Sequence, residues 1–360
     1  MNDTNTPDEI AERLLAIMGW LGPRLHQSPL DATILRSLAE QASKELREIA
    51  SPPADGPLFD QADNFIDKLL DDYGKRKAAA AANGGVVGVR TGLNHLDETL
   101  NGFEAGKLYL LASMPGSGKT TLALQWAATV AQNGRGALYI SLENDAVDLA
   151  RKTACRLGQV SYAEALKGKL SRQDWTDAVG KLRGLQGRLY LSAPGATMPS
   201  LTSLIEGIMT RTGTAPALIV LDYLQAFAKR AVTSAEASDL RERIDRFTPE
   251  LRAIGEQYGC AVLAISSQNR AGYAVGGMAA LKESGDIEYG ADVIMTLCKV
   301  DEEDIGRGQR KGVPVNYATM RDPRLTPLKL VIEKNRQGLT GRPISLLLHG
   351  DLCMVEEEDR

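Results

Sequence analysis

With 360 residues, the chain is long enough for one large α/β domain and a small additional region. Its formal net charge of −4 is too acidic for a monomeric DNA-binding module, so a nucleic-acid site would have to be a local basic patch. The lack of a membrane-spanning apolar run and the polar, acidic N-terminus argue against a transmembrane segment and a secretory signal. The four scattered cysteines and three histidines lack the spacing of disulfide frameworks or zinc sites, and they predict a cytoplasmic protein.

Residues 1–55 are predicted to form a small helical N-terminal region. Thr6-Pro7 has the form of a helix start, because threonine is a common cap and proline is favoured at the first helical position. Apolar residues then recur at helical spacing until Gly22-Pro23 breaks the pattern. A second helix is predicted to begin near Ser28, and the proline-rich residues after position 50 indicate a linker.

Residues 56–85 are predicted to contain a linker helix and a tether. An apolar stripe with acids opposite predicts an amphipathic helix over 59–73. The glycine, basic residues and alanines that follow favour a flexible tether over 74–85. Such a helix either packs back on its own domain or docks on another subunit, and we favour docking because nothing beside it in the sequence can cover it. The stripe consists of Phe59, Ala62, Phe65, Ile66, Leu69, Leu70 and Tyr73.

Residues 86–360 are predicted to form one α/β domain, because short apolar runs alternate there with helical patterns. Several of these runs are continuous, as in strands that are buried on both faces of a mostly parallel sheet. The strand candidates are residues 108–112, 137–141, 188–192, 217–221, 261–266, 292–297, 328–333 and 344–348.

The segment SMPGSGKTT, residues 113–121, lies between an apolar run and a helical pattern, which is the context of a phosphate-binding P-loop. Gly116 and Gly118 would let backbone N–H groups close around the phosphates of ATP at a helix N-terminus. Lys119 would reach the β- and γ-phosphates, and the Thr120 hydroxyl would bind Mg²⁺. The alternative is a glycine-rich turn with an exposed lysine, which Lys-Thr-Thr suits poorly. The predicted ATP contacts are Ser113, Met114, Pro115, Gly116, Ser117, Gly118, Lys119, Thr120 and Thr121.

Carboxylates follow two of the predicted strands, where the ligand of a parallel sheet binds. Asp222 ends the run over 217–221 and is predicted to hold Mg²⁺ together with Thr120, rather than to cap a turn. Glu143 follows the run over 137–141, where it could orient and deprotonate the attacking water or could equally cap the next helix.

Two further strand ends carry polar residues that each have two interpretations. Gln268 follows the run over 261–266 and either senses the γ-phosphate or is a plain polar strand end. Lys334 and Arg336 follow the run over 328–333, where they are either solvated or reach a neighbouring ATP site as a finger that stabilises transition-state charge.

These elements, taken in order, resemble the C-terminal ATPase domain of DnaB-type replicative helicases, hexameric members of the RecA-like family. The resemblance covers about residues 86–350 and is specific, because D-Y-L-Q and E-S-G-x-I-E are not general P-loop features. The matching segments are residues 88–97, 101–108, the P-loop, 141–143, 221–225, 267–270, 282–288, 291–295 and 334–338.

The resemblance implies a RecA-like fold and an ATP-dependent DNA helicase, a homo-hexameric ring with ATP and Mg²⁺ at each interface that moves 5′ to 3′ on single-stranded DNA at the replication fork. It implies that Glu143 and Lys119 act in catalysis, that Gln268 is a sensor, and that Lys334 and Arg336 act in trans on the next subunit. It also implies that the linker helix docks on that subunit.

By the same resemblance, DNA-contacting loops lie at about 226–240 and 271–284. Lys229, Arg230 and Arg270 are the candidate phosphate contacts, although a solvated helix start explains the first two equally well. The family's helical N-terminal domain, which contacts primase, is longer than the leader of this chain, so primase or a helicase loader is an expected partner if the leader is a reduced version of that domain.

The sequence is also compatible with two other functions. One is a RecA-fold DNA-dependent ATPase of recombination or regulation that does not unwind DNA, which D-Y-L-Q and the Lys334–Arg336 pair disfavour. The other is a non-catalytic assembly protein, which the presence of Lys119, Glu143 and Asp222 together disfavours.

Overall fold

The structure is a computed structural model, which describes residues 7–25, 32–50, 65–192, 198–231, 239–267, 290–300, 324–340 and 343–358. The chain divides into two compact units, residues 1–73 and residues 74–360. Among the described residues, no helix combines the length and the apolarity that crossing a bilayer requires.

The first unit contains a pair of helices, α1 (Pro7–Leu25) and α2 (Ala32–Ala50). The indole of Trp20 on α1 donates a hydrogen bond of 3.1 Å to Glu45 on α2, which ties the two helices together. The predicted break at Gly22-Pro23 is wrong, because α1 continues to Leu25 with Pro23 in its last turn.

Helix α3 (Ile66–Ala82) replaces both the second part of the predicted linker helix and most of the predicted tether. The expectation of a flexible segment over 74–85 is wrong as far as Ala82, because lysine, arginine and above all alanine are strong helix formers that outweigh one glycine. Residues 59–64 of the predicted linker helix lie outside the described residues. The helix ends where the N–H of Gly85 bonds to the carbonyl of Ala80.

Within the second unit, a polar network attaches the C-terminal part of α3 to the segment that precedes β1. The buried Glu104 carboxylate accepts hydrogen bonds from Arg76 of α3, at 2.8 Å, and from Lys107, at 2.9 Å. Burial would raise the pKa of Glu104, but the hydrogen bonds and charges of Arg76 and Lys107 outweigh it and hold that pKa below its ordinary value. The carboxylate is therefore ionised at neutral pH and holds both cations.

The second unit is built on a sheet whose nine described strands follow the order β3-β2-β4-β5-β1-β6-β7-β8-β9. The strands from β3 to β6 in this order are parallel, and β7, β8 and β9 continue as an antiparallel meander. The strands are β1 (Leu108–Ser113), β2 (Ala137–Ser141), β3 (Leu189–Ser192), β4 (Leu218–Asp222), β5 (Ala261–Ser267), β6 (Val293–Lys299), β7 (Leu325–Asn335), β8 (Pro343–His349) and β9 (Met354–Glu357).

All eight predicted strands are present, and the expected mostly parallel sheet is confirmed. Strand β9 was not predicted, because it is a short edge strand of which only Val355 is buried. The reversed direction of β7, which pairs antiparallel with both β6 and β8, was not predicted either, because the apolar pattern of a strand does not encode its direction.

Helices cover both faces of the sheet, so that alternate strand residues enter two separate cores. One core contains Tyr109, Leu111 and Tyr139 and packs on the helix that follows the P-loop. The other contains Leu110, Ile140 and Leu221 and packs on helices after β3 and β4. The remaining described helices are α4 (Asn94–Leu100), α5 (Lys119–Gln132), α6 (Ala146–Gly158), α7 (Tyr162–Leu166), α8 (Arg172–Arg183), α9 (Met198–Thr212), α10 (Leu224–Ala231) and α11 (Leu240–Tyr258).

Candidate ATP site

The P-loop connects β1 to α5 at the carboxyl edge of the parallel strands, as predicted. Gly116 and Gly118 have φ angles of 75° and 86°, in the left-handed region that favours glycine. A Cβ on Gly118 would also lie 3.1 Å from Leu348 of β8, whereas the space around Gly116 is open. The turn therefore needs glycine at both positions, and it leaves room above Gly116 for a bound group.

Helix α5 begins at Lys119, so the positive end of its dipole lies at this turn. Among the described residues, the Lys119 ammonium makes no hydrogen bond or ion pair and so is available to a phosphate. The side chain is half-buried rather than extended into solvent. This arrangement favours the predicted phosphate site over an ordinary turn with an exposed lysine.

Asp222 ends β4, two strands away from the P-loop strand, and its side chain is fully buried. Its Oδ2 accepts a hydrogen bond of 3.0 Å from the Thr120 hydroxyl, so the two predicted metal ligands are in contact. Within the described part of the chain, both hydrogen bonds to this carboxylate come from side chains. The alternative that Asp222 caps a turn or helix, which needs a backbone N–H donor, is therefore disfavoured.

Tyr139 is a member of this site that the sequence analysis missed. It lies on β2, on the same face of the sheet as Asp222, and its hydroxyl donates a hydrogen bond of 2.7 Å to Asp222 Oδ2. Burial, together with the adjacent carboxylate, holds the pKa of the Tyr139 phenol well above its ordinary value, so the hydroxyl keeps its proton. The available signal was a tyrosine inside a strand buried on both faces, where its hydroxyl must find a partner.

The Asp222 carboxylate is electrostatically set to receive a cation. Burial raises its pKa above the ordinary value and the charge of Glu143 adds to this, while the bonds from Tyr139 and Thr120 and the charge of Lys119 oppose it. Its second oxygen, Oδ1, is buried and has no hydrogen-bond partner among the described residues. An unpaired buried carboxylate oxygen suits a proton of a metal-bound water.

These residues fit Mg²⁺ in particular. Among the described residues there is no cluster of three or more histidine, cysteine, aspartate or glutamate side chains that would form an all-protein metal cage. Mg²⁺ instead uses one or two protein oxygens and completes its shell with water and substrate phosphates. The Thr120 hydroxyl and Asp222 Oδ1, beside the P-loop, are such a pair.

Glu143 is exposed just beyond β2, beside Asp222. The buried Ser141 hydroxyl shapes the turn by accepting the N–H groups of Glu143, at 3.2 Å, and Asn144, at 2.8 Å. The following helix is capped by Asp145, which accepts the N–H of Val147 at 2.7 Å. Since Asp145 provides that cap, the geometry rules out the alternative role of Glu143 as the cap of this helix.

Gln268 and Arg270 lie outside the described residues, as do the predicted loop over 271–284 and residues 232–238 of the predicted loop over 226–240. The strand end before Gln268 is nevertheless held firmly. The Gln225 amide donates to the Ser266 hydroxyl at 2.8 Å and to the Ser267 carbonyl at 3.2 Å. This links the helix after Asp222 to the end of β5.

Lys334 and Arg336 lie at the opposite edge of the sheet from the P-loop of the same chain. Because β7 is antiparallel to β6, its C-terminal end lies beside Ala291 and Asp292, which precede β6. Lys334 donates to the Ala291 carbonyl at 2.8 Å, and Arg336 lies 3.6 Å from the Asp292 carboxylate. The length of β1 separates this edge from the P-loop by about 16 Å.

Lys229 and Arg230 are exposed in the last turn of α10. The expectation of a loop or a helix start there is wrong, because α10 runs from Leu224 to Ala231. Buried Phe227 of α10 stacks on Phe247 of α11, with ring centroids 6.4 Å apart, and this fixes the helix on the sheet. Cations at a helix C-terminus interact favourably with the helix dipole whether or not they bind DNA.

Comparison with known proteins identifies the family. The DnaB-like helicase C terminal domain matches residues 88–353, about three quarters of the chain. This chain belongs to that family. It is 26% identical over 295 residues to the replicative DNA helicase DnaB of Leifsonia xyli subsp. xyli, a match that covers 79% of this chain and 58% of that helicase. The chain thus spans less than two thirds of the length of that curated relative.

Two solved structures share the fold. One, an ATPase domain, superimposes with a TM-score of 0.66 at 19% identity, over 83% of this chain and all of that domain. The other, a DnaB-like replicative helicase whose structure was described together with its interactions with primase, superimposes with a TM-score of 0.72 at 18% identity, over 98% of this chain and 76% of that one. The predicted RecA-like ATPase fold is thereby confirmed.

We predict that Glu143→Gln binds ATP with unchanged affinity but hydrolyses it at least about a hundredfold more slowly, because a carboxamide cannot accept the proton of the attacking water. The measurements are phosphate release and binding of a fluorescent ATP analogue. Asp145→Asn is a matched control, since asparagine caps a helix as well as aspartate does. Normal turnover in Glu143→Gln would remove Glu143 from this role.

Proposed function

We propose that this chain is an ATP-dependent DNA helicase of the replication fork, which assembles as a homo-hexameric ring in the cytoplasm, translocates 5′ to 3′ on single-stranded DNA and unwinds the duplex ahead. The observation that carries this proposal is the distance, within one subunit, between the residues suited to ATP and the Lys334–Arg336 pair. The residues suited to ATP and Mg²⁺ lie at one edge of the sheet, and the Lys334–Arg336 pair lies at the other.

A P-loop ATPase needs positive charge near the γ-phosphate to stabilise the transition state. In this chain Lys334 and Arg336 are about 16 Å along the strands from their own P-loop, so they can serve only an ATP bound to another subunit. Head-to-tail contacts that repeat this relation generate a closed ring when the rotation closes. A finger that acts in trans and assembly into a ring are therefore proposed together.

Each ATP would be held by the chain's own P-loop. Backbone N–H groups over residues 116–119 and the Lys119 ammonium would bind the phosphates. Ser113, Met114, Pro115, Ser117 and Thr121 would complete the ATP contacts of the loop. Thr120 and Asp222 would hold Mg²⁺, which neutralises phosphate charge when bound. Glu143 would orient the attacking water and take its proton.

The neighbouring subunit would contribute Lys334 and Arg336. In the single chain both side chains are already held in place, Lys334 by the Ala291 carbonyl and Arg336 by Asp292, so little ordering is needed before they meet a phosphate. We propose that Gln268 senses the γ-phosphate, because it follows a strand end that Gln225 holds in place.

Single-stranded DNA would pass through the ring and contact Lys229, Arg230 and Arg270. Lys229 and Arg230 are exposed and have no ion-pair partner among the described residues. Six copies of a small basic patch can line one channel although each chain has a net charge of −4. Such contacts go to phosphates, so binding would be independent of sequence and sensitive to salt.

The apolar stripe of α3 supports docking between subunits. Ile66, Leu69, Leu70 and Tyr73 are between 52% and 67% exposed in the single chain. The second unit has an exposed apolar groove between α6, α8 and β3, lined by Val147, Ala150, Leu182, Leu185 and Leu191 among others. Lys181 and Arg183 in the last turn of α8 complement the acidic Asp67 and Asp72 of α3. We propose that the stripe of one subunit occupies the groove of the next.

The α1–α2 pair is the proposed contact for a helicase loader or a primase. It buries Ile17, Leu38 and Ala42 but leaves Leu15 and Met18 more than 60% exposed. A two-helix unit with this much apolar surface suits a protein partner. The resemblance to a helicase whose interactions with primase were described supports this choice.

We expect the chain to separate a forked DNA with a 5′ single-stranded tail when ATP is present. Lys119→Ala should abolish strand separation, and Lys167→Ala, a change of the same kind at the end of α7, should not. A fork with only a 3′ tail should not be unwound if the polarity is 5′ to 3′. ATP hydrolysis without unwinding would favour the non-unwinding ATPase or a helicase that requires its loader.

Mixing experiments test whether the finger acts in trans. Arg336→Ala and Lys119→Ala subunits should each be nearly inactive alone, because each lacks one half of every site. Mixed rings contain interfaces in which an intact P-loop faces an intact finger, so hydrolysis should reappear and peak near equal amounts. An absence of rescue at every ratio would count against a finger supplied by the neighbour.

Leu70→Glu on α3 and Val147→Glu in the groove should each weaken ring assembly. Burying one such side chain stabilises an interface by about 1.5–3 kcal/mol, so the concentration needed for assembly should rise about tenfold or more. Sedimentation velocity measures this. Met18→Glu, at an equally exposed apolar residue outside the stripe, is the matched control. Unchanged assembly in both stripe and groove variants would refute this docking arrangement.

A further inference from the structure

We infer that Tyr139 is a positioning residue for the metal of the ATP site, which it serves by anchoring one oxygen of Asp222 so that the other faces the metal-bound water. This inference rests on the proposal that Asp222 and Thr120 hold Mg²⁺. The residue is not part of the P-loop and reaches the site from the interior of β2.

The register of the sheet explains how Tyr139 reaches Asp222. Tyr139 lies directly opposite Val220 on β4, and Ser141 lies opposite Asp222. Tyr139 and Asp222 are therefore diagonal neighbours on the same face, a separation that a long aromatic side chain can bridge. The ring is fully buried in the core below α5, and only its hydroxyl meets the carboxylate.

The two oxygens of Asp222 have different surroundings. Oδ2 accepts from Tyr139 at 2.7 Å and from Thr120 at 3.0 Å, whereas Oδ1 has no partner among the described residues although it is buried. Two donors on one oxygen prevent the carboxylate from rotating. Oδ1 therefore points in one direction, which is the requirement for a group that accepts a hydrogen bond from a metal-bound water.

Thr120 cannot supply this anchor by itself. Its single hydroxyl proton goes to Asp222, and its oxygen is the group proposed to bind the metal, so its position changes with metal occupancy. The Tyr139 hydroxyl has no such second task. A phenylalanine would fill the same space in the core, and the hydroxyl is therefore the part of the side chain that needs a functional explanation.

The test is metal binding by the full-length chain in which Tyr139 is changed to Phe. Mn²⁺ replaces Mg²⁺ as the probe, because its free concentration can be followed by electron paramagnetic resonance during titration in the presence of ADP. We expect Tyr139→Phe to weaken Mn²⁺ binding about tenfold, the lower end of the effect of removing a hydrogen bond that orients a metal ligand. ATP turnover should recover at saturating metal.

Tyr109→Phe is the matched control. Tyr109 is equally buried, and its hydroxyl accepts the Glu104 N–H at 2.8 Å, but it lies near the start of β1, away from the ATP edge. Tyr139→Phe loses one buried hydrogen bond and Tyr109→Phe loses two, because the Tyr109 hydroxyl also donates to the Gly102 carbonyl at 3.4 Å. Tyr109→Phe should therefore lower the melting temperature of the metal-free protein at least as much as Tyr139→Phe does. Only Tyr139→Phe should change the affinity for Mn²⁺.

Asp222→Asn distinguishes a failure of the role of Tyr139 from a failure of the proposed metal site. If Asp222→Asn weakens Mn²⁺ binding and Tyr139→Phe behaves as Tyr109→Phe does, the role of Tyr139 is refuted and the metal site stands. If Asp222→Asn leaves Mn²⁺ binding unchanged, the metal site itself is refuted. Binding of fluorescent ADP in EDTA checks the fold, and its loss in Tyr139→Phe would show that the hydroxyl holds the structure rather than the metal.

Discussion

The reversal of strand direction between β6 and β7 is the constraint on which the rest of this structure depends. The parallel strands bring Ser113, Ser141 and Asp222 to one edge, where the P-loop, the proposed metal ligands and Glu143 meet. The antiparallel β7 carries Lys334 and Arg336 to the other edge. In the enzyme we propose, one edge of a subunit binds ATP and the other edge carries the Lys334 and Arg336 cations. Each ATP site is therefore completed by the cations of the adjacent subunit. Under this proposal, ATP hydrolysis requires oligomerisation.

The polar groups at each edge are organised by residues that do not themselves touch ATP in the proposed mechanism. Asp145 caps α6 in place of Glu143, Gln225 holds the end of β5, and Tyr139 anchors Asp222. At the other edge Asp292 accepts the N–H of Leu108 and lies close to Arg336. Buried polar groups of this kind are costly unless they are paired, and pairing them makes the surrounding backbone rigid. The active groups therefore sit on a frame that is already ordered.

The network of Arg76, Glu104 and Lys107 extends this frame toward the subunit contacts. Lys107 also donates to the Gln337 side chain at 2.6 Å, one residue beyond Arg336. The C-terminal end of α3, the start of β1 and the finger are therefore connected through hydrogen bonds inside the second unit. If the stripe of α3 docks on a neighbouring subunit as we propose, this helix joins two subunits. The same helix is also connected by hydrogen bonds to the Lys334–Arg336 finger of its own subunit.

The sequence by itself determined the P-loop, the carboxylates at two strand ends, the eight predicted strands and the family, because each depends on local spacing that a chain reveals directly. Gly116 and Gly118 needed only their neighbours in sequence to be recognised. The sequence left open whether Glu143 caps a helix, and it misjudged the segment after Gly74, where helix propensity outweighed one glycine. Only the tertiary structure decided the direction of β7, the bond from Tyr139 to Asp222 and the unpaired Oδ1. Those features depend on which strands lie side by side, and hydrophobic periodicity does not carry that information.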